Sequence, residues 1–112
     1  MIPSSTRIFV CTERQDMRRS FDALAAVVQQ VLEEDPQSGA MFVFTNRRAN
    51  RLKVLWFDRN GYCLLYKRLH RALFELPEGK QAKLKIDARG LGQILLGVAT
   101  RARTRESSRD PA

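Results

Sequence analysis

With 112 residues, 44% of them hydrophobic and 29% charged, the chain has apolar side chains for one core and is too short for two, which argues against global disorder and predicts a single folded domain in this stretch. Its 20 Lys and Arg outnumber 12 Asp and Glu, a net charge of +8 that points to an anionic partner, nucleic acid first and an acidic protein surface second. No apolar run approaches the roughly 18 to 20 residues of a membrane helix, and residues 1–7 lack the basic-then-apolar form of a signal peptide, so the expected location is the cytoplasm.

In chain order, Arg7 to Cys11 reads as a short strand and Thr12 to Gln15 as a polar link. Asp16 is placed to cap a helix, and Met17, Phe21, Leu24, Ala25, Val28, Val31 and Leu32 recur at offsets of three and four, which predicts a helix from Asp16 to Glu33. Phe21, Leu24 and Val28 are then expected to pack on the inner face of a sheet. Pro36 ends that helix, and the acids before it, Glu33, Glu34 and Asp35, sit unfavourably at a helix C-terminus, which calls for a cationic neighbour such as the arginine-rich sheet.

The segment from Ala40 to Arg71 supplies both strands and charge. It holds eight Lys and Arg against Asp58 alone, a net of +7, whereas residues 1–39 hold four basic and six acidic residues, a net of −2. Met41 to Thr45, Leu52 to Phe57 and Tyr62 to Leu69 are rich in branched and aromatic residues and predict an antiparallel meander. Asp58-Arg59-Asn60-Gly61 carries the Asn-Gly hairpin signal, and Asn46-Arg47-Arg48-Ala49-Asn50 makes a second turn with two arginines at its tip.

Further on, Ala72 to Leu76 is a candidate fourth strand, and Leu84 and Ile86 mark a short extended piece. Asp87 is a second candidate cap, before Leu91, Ile94, Leu95 and Val98 at helical spacing. Gly90, Gly92 and Gly97 weaken that helix, so it depends on docking. The predicted fold is therefore α+β: a three- or four-stranded antiparallel sheet packed against one long helix, with a short C-terminal helix. Residues 1–100 form one domain in this reading, and 101–112, with four arginines and no apolar face, a disordered basic tail.

Catalytic and metal chemistry find little support. Cys11 and Cys63 are far apart and accompanied by one histidine, His70, which is too few ligands for a structural zinc; they read as free core thiols, with a cross-strand disulfide as the alternative. His70 has cationic neighbours and no evident Ser or Cys partner. Asp16, Asp58 and Asp87 are each explained by a cap or a turn, and no phosphate-cradling glycine motif occurs. No catalytic residue, metal or cofactor is expected. What remains is a surface: Arg47, Arg48, Arg51, Lys53, Lys67, Arg68 and Arg71 are the candidate nucleic-acid-binding residues, near Trp56, Phe57, Tyr62 and Tyr66, whose rings can stack on unpaired bases.

Four blocks also carry a resemblance. Asp16-Met17-Arg18-Arg19-Ser20-Phe21-Asp22-x-Leu24, Asp35-Pro36-x-Ser38-Gly39-x-x-Phe42-Val43-Phe44, Arg47-Arg48-x-x-Arg51-x-Lys53 and Gly61-x-Cys63-Leu64-x-x-Lys67-Arg68-Leu69, in that order, resemble the TnpB-type (Orf2-like) accessory protein of IS-sixty-six-group insertion sequences. The likeness spans about residues 3–98. It implies a bacterial mobile-element protein that accompanies a separate transposase, its expected protein partner, and does not itself transfer strands; DNA is the partner expected from the basic residues above. The rival readings are a protein-interaction module that docks an acidic patch on the transposase, and a nuclease whose acids assemble only in a complex.

Overall fold

Ile8-Phe9-Val10-Cys11 shows no polar alternation and is buried at all four positions, as a strand must be when both faces of its sheet are covered. A computed structural model, which describes residues 2–100, places it there. This strand, β1 (Ile8–Cys11), pairs in parallel with β2 (Met41–Thr45), setting Phe9 opposite Phe42. Parallel neighbours need a crossover, and α1 (Phe21–Gln30) makes it. β3 (Arg51–Asp58) and β4 (Gly61–Arg68) extend the sheet as antiparallel hairpins beyond β2. After the two-residue β5 (Ala72–Leu73), β6 (Lys83–Ile86) returns to pair antiparallel with the free side of β1. The strand order is β4-β3-β2-β1-β6, and β4 and β6 are the edges. Then come α2 (Ala88–Leu96) and β7 (Val98–Ala99), which pairs with β5 in a separate two-stranded sheet.

Period-two alternation divides the sheet residues between two apolar layers. Phe9, Cys11, Phe42, Phe44 and Leu55 face α1, where they meet Leu24, Val27, Val28 and Leu32. Ile8, Val10, Val43, Leu52 and Val54 face the opposite way, under Phe74, Leu91 and Ile94. Cys11 and Cys63 are both free thiols; burial pushes the Cys11 thiol up, which marks it as a packing residue.

This architecture corrects the predicted α+β fold. The sheet has five strands and is mixed, a second small sheet is present, and the helix is 10 residues long where a run from Asp16 to Glu33 was expected. The start moves because Asp16 is not a cap. Its carboxylate accepts the Arg18 N–H at 2.9 Å and the Arg18 guanidinium at 2.6–3.1 Å, closing a turn that holds residues 16–18 out of the helix. Ser20 takes the N-cap position without a side-chain bond. Phe21, now the first helical residue, is 41% exposed and lies outside the core, while Leu24 and Val28 are fully buried.

The helix end also moves. Glu33 adopts a φ of 55°, and the Glu34 N–H reaches back 3.1 Å to the Val28 carbonyl, a left-handed closure one residue wider than a Schellman bond, made before Pro36 is reached. Of these acids Glu34 is paired, and its cationic neighbours are Lys83 and Arg7, not the arginine-rich sheet. Lys83 pairs with Glu34 and donates to the Leu32 carbonyl at 2.8 Å, and Arg7 lies 3.8 Å from Glu34.

The remaining turns agree with the sequence in part. In the β3–β4 hairpin Asp58 faces Gly61, so the loop is Arg59-Asn60 and the positive φ of 57° falls on Arg59. The candidate fourth strand shrinks to Ala72–Leu73 and leaves the main sheet. Asp87 does cap α2, accepting the Gly90 N–H at 2.8 Å. Gly97 ends that helix at φ 74°, where a Cβ would come within 2.7 Å of Leu69 Cδ1. Among the described residues, no helix is long and apolar enough to cross a membrane. The tail expected over 101–112 lies outside the described residues.

Candidate nucleic-acid interface

The carboxyl ends of β1 and β2 open onto two loops, residues 12–20 and 46–50, and between them lies an open cleft of about 580 Å³. In open sheets with parallel strands, such ends are where ligands collect. Its lining comes from separate segments: Arg14, Asp16, Met17 and Arg18 from the first loop, Asn46, Arg47 and Arg48 from the second, Arg51 from β3 and Tyr66 from β4. Five arginines against Asp16 alone leave it strongly cationic.

Each wall is held in place by identifiable bonds. The Gln15 N–H donates to the Thr45 carbonyl at 2.9 Å, and Arg14 Nη1 donates to Thr45 Oγ1 at 2.8 Å, tying the first loop to the end of β2. Gln15 is buried, and its Oε1 accepts from Arg19 Nη1 at 3.2 Å. In the second loop Asn46 Oδ1 accepts the N–H groups of Asn50 and Arg51 at 3.1 and 3.0 Å, and Ala49 takes a φ of 59°. This clamp leaves Arg47 and Arg48 exposed at the tip, with no protein hydrogen bond or ion pair to either side chain among the described residues.

Asp16 tempers the charge without removing it. Hydrogen bonds from Arg18 hold its carboxyl down to about 2, so at neutral pH it is ionised beside a guanidinium that stays protonated. The pair is exposed and screened, so it shapes the turn more than it stabilises the fold.

Of the seven residues singled out from the sequence, Arg47, Arg48 and Arg51 line the cleft, and Arg68 joins Arg51 and Tyr66 around a smaller notch of about 170 Å³ that shares two of its residues. The other three lie elsewhere. Lys53 is only 5% exposed, and its Nζ donates to the Arg19 carbonyl at 2.6 Å. Lys67 points to the opposite face of the sheet, where its Nζ donates to the Leu95 carbonyl at 2.7 Å. Arg71 adopts a φ of 53° beside β7, its carbonyl accepting from Thr100.

Arg14 and Arg18 were missed, because Arg14 fell in a link and Arg18 on the solvent face of an overlong helix. The Asp16-x-Arg18 spacing, an Asx turn with its own cation, was the available signal. Of the four aromatic candidates only Tyr66 lines the cleft. Phe57 and Tyr62 pack edge to face at 5.1 Å near the far hairpin, and Trp56 joins the layer under α2.

Comparison with known proteins decides the family. The model of the family described as IS66 Orf2 like protein matches residues 6–105. The chain belongs to that family. Two relatives come from Sinorhizobium fredii (strain NBRC 101917 / NGR234). The uncharacterized protein y4hO is 39% identical over 100 residues, 88% of this chain and 87% of its own length. The uncharacterized protein y4jC is 33% identical over 92 residues, 82% of this chain and 79% of its own. No solved structure matches. Family membership associates the chain with insertion-sequence transposition.

Proposed function

We propose that this protein is a non-catalytic accessory factor in transposition of its insertion sequence and that it binds DNA through the arginine cleft. The observation that carries this reading is the convergence of Arg14, Arg18, Arg47, Arg48 and Arg51 from separate segments onto one recess, with a single acid among them. Guanidinium groups gathered in this way meet phosphate oxygens through paired, charge-assisted hydrogen bonds. The acids support a non-catalytic role. Asp16 is bound by Arg18, Asp87 caps α2, Asp58 closes a hairpin and Glu34 pairs with Lys83. Among the described residues, no three of His, Cys, Asp or Glu gather as metal ligands would.

The test is a transposition assay in which folding is checked for every variant. Reversing Arg47, Arg48 and Arg51 to Glu abolishes transposition. Changing Asp16, Asp58 or Asp87 singly to Asn leaves it largely intact, because Asn still forms an Asx turn or a cap without the charge that metal catalysis requires. Loss in a single Asp→Asn variant with activity retained in the charge reversal overturns the reading in favour of an enzyme. Retained co-purification with the transposase but no DNA binding by the purified protein overturns it in favour of a protein-docking module.

A further inference from the structure

Tyr66 lies on the edge strand β4 and is 48% exposed, yet its ring is fixed. Lys53 Nζ sits 4.8 Å from the ring centroid on one side, and the Tyr66 hydroxyl accepts from Arg51 Nη1 at 2.7 Å. Lys53 is in turn anchored on the Arg19 carbonyl. One ring face is therefore supported from within the protein, and Tyr66, half exposed, lines the cleft together with Arg51 and the arginines of the two loops. The adjoining notch brings Arg68 to the same ring.

The recess is concave and its volume is that of a pocket for one small unit. A duplex is a rod with its base faces stacked away inside, and reading it takes an element that protrudes into a groove about 12 Å wide. An unpaired strand can instead turn one base into the recess, lay it on an aromatic face and leave its phosphates at the rim. From this geometry we infer that the cleft takes single-stranded DNA, with one base stacked on Tyr66 and the flanking phosphates on Arg47, Arg48, Arg51 and Arg68. The inference rests on the DNA-binding reading above and specifies its substrate.

Fluorescence anisotropy with the full chain tests it, using a dye-labelled oligothymidylate, a duplex of equal length, an abasic strand of equal charge and an oligouridylate. Oligothymidylate should bind at least about tenfold more tightly than the abasic strand, a difference in the range of one base-aromatic stack, and more tightly than the duplex. Tyr66→Ala should lose that advantage and fall to the abasic level, and Tyr66→Phe should keep it. Equal affinity of the wild type for the oligothymidylate and abasic strands overturns the inference, whatever the variants do, and leaves the DNA-binding reading standing. So does a preference for duplex or unchanged affinity in Tyr66→Ala. Tighter binding of oligouridylate overturns the assignment to DNA. Failure of the wild type to bind any of the four strands overturns the underlying reading as well.

Discussion

Replacing Arg47 and Arg48 together by Ala isolates the electrostatic part of the cleft. Arg14, Arg18 and Arg51 each give some of their N–H groups to Thr45, Asp16 and Tyr66, whereas the two tip arginines have no protein partner among the described residues and have every donor free to meet phosphate. The loop does not need them. Its shape comes from the Asn46 side-chain bonds and from Ala49, and its backbone is further tied by the Phe74 N–H to the Ala49 carbonyl at 2.7 Å. Each phosphate contact contributes about −0.9 to the slope of log K against log salt on a duplex and about −0.7 on a single strand. The double variant should therefore flatten the slope by about 1.4 units on a single strand, or by about 1.8 on a duplex, with an unchanged thermal midpoint. Anisotropy titrations at several salt concentrations measure it directly. A slope and affinity equal to wild type would remove this loop from the site.

Two further predictions follow from the placement of particular side chains. Phe42 is fully buried in the second strand and stacked on Phe9 at 5.9 Å, so Phe42→Ala should cost about 3–5 kcal/mol, a large part of the stability of a domain this size, whereas Phe21→Ala should cost under about 1 kcal/mol; denaturant melts that rank the two the other way would refute the assigned start of α1. The Asp16 carboxyl, held down to about 2 from an ordinary 3.8 by Arg18, contributes stability that is present above pH 4 and lost as pH falls through about 2; a carboxyl-carbon NMR titration should show that midpoint, and Arg18→Ala should raise it only part of the way to the ordinary range, because the N–H of residue 18 still donates to the carboxylate.

How far the sequence reveals the molecule depends on how local the determining interaction is. The β2–β3–β4 meander is legible because its register is set by two short turns and by residues that are neighbours in sequence. The β1–β2 pairing is not, because a parallel partner lies a whole crossover away and a four-residue strand carries no period. The uninterrupted apolar run in β1 is the trace it leaves, and it reads as centrality only once both faces are known to be covered. Helical spacing from Met17 onward is real, yet an Asx turn at Asp16 outcompetes the first turn of helix. Arginines at the tip of a hairpin can be found from the sequence, and those that complete the cleft cannot, since Arg14 and Arg18 reach it only through the β1–β2 pairing and the Gln15–Thr45 bond. Alternation along β3 placed Lys53 on the same face as Arg51, as observed, but burial of that face depends on α1 covering it.

Lys53 offers the sharpest separation between folding and binding. A buried ammonium is costly to desolvate, and its polar contacts are one hydrogen bond, to Arg19, and the face of Tyr66. Removing the lysine takes one donor from the Arg19 carbonyl, a loss that works against the relief of desolvation. Lys53→Met keeps the length and apolar stem of the side chain while relieving the desolvation cost, and global stability should change by less than about 1 kcal/mol. Binding should respond differently. Without the ammonium, Tyr66 loses the support beneath its ring and the turn bearing Arg18 loses one of its ties to the sheet, so affinity for oligothymidylate should fall while the thermal midpoint holds. The salt slope should stay near wild type, because Lys53 itself meets no phosphate. A variant that melts early but binds normally would mean that Lys53 serves the core alone, and a flattened salt slope would mean that its charge reaches the ligand directly.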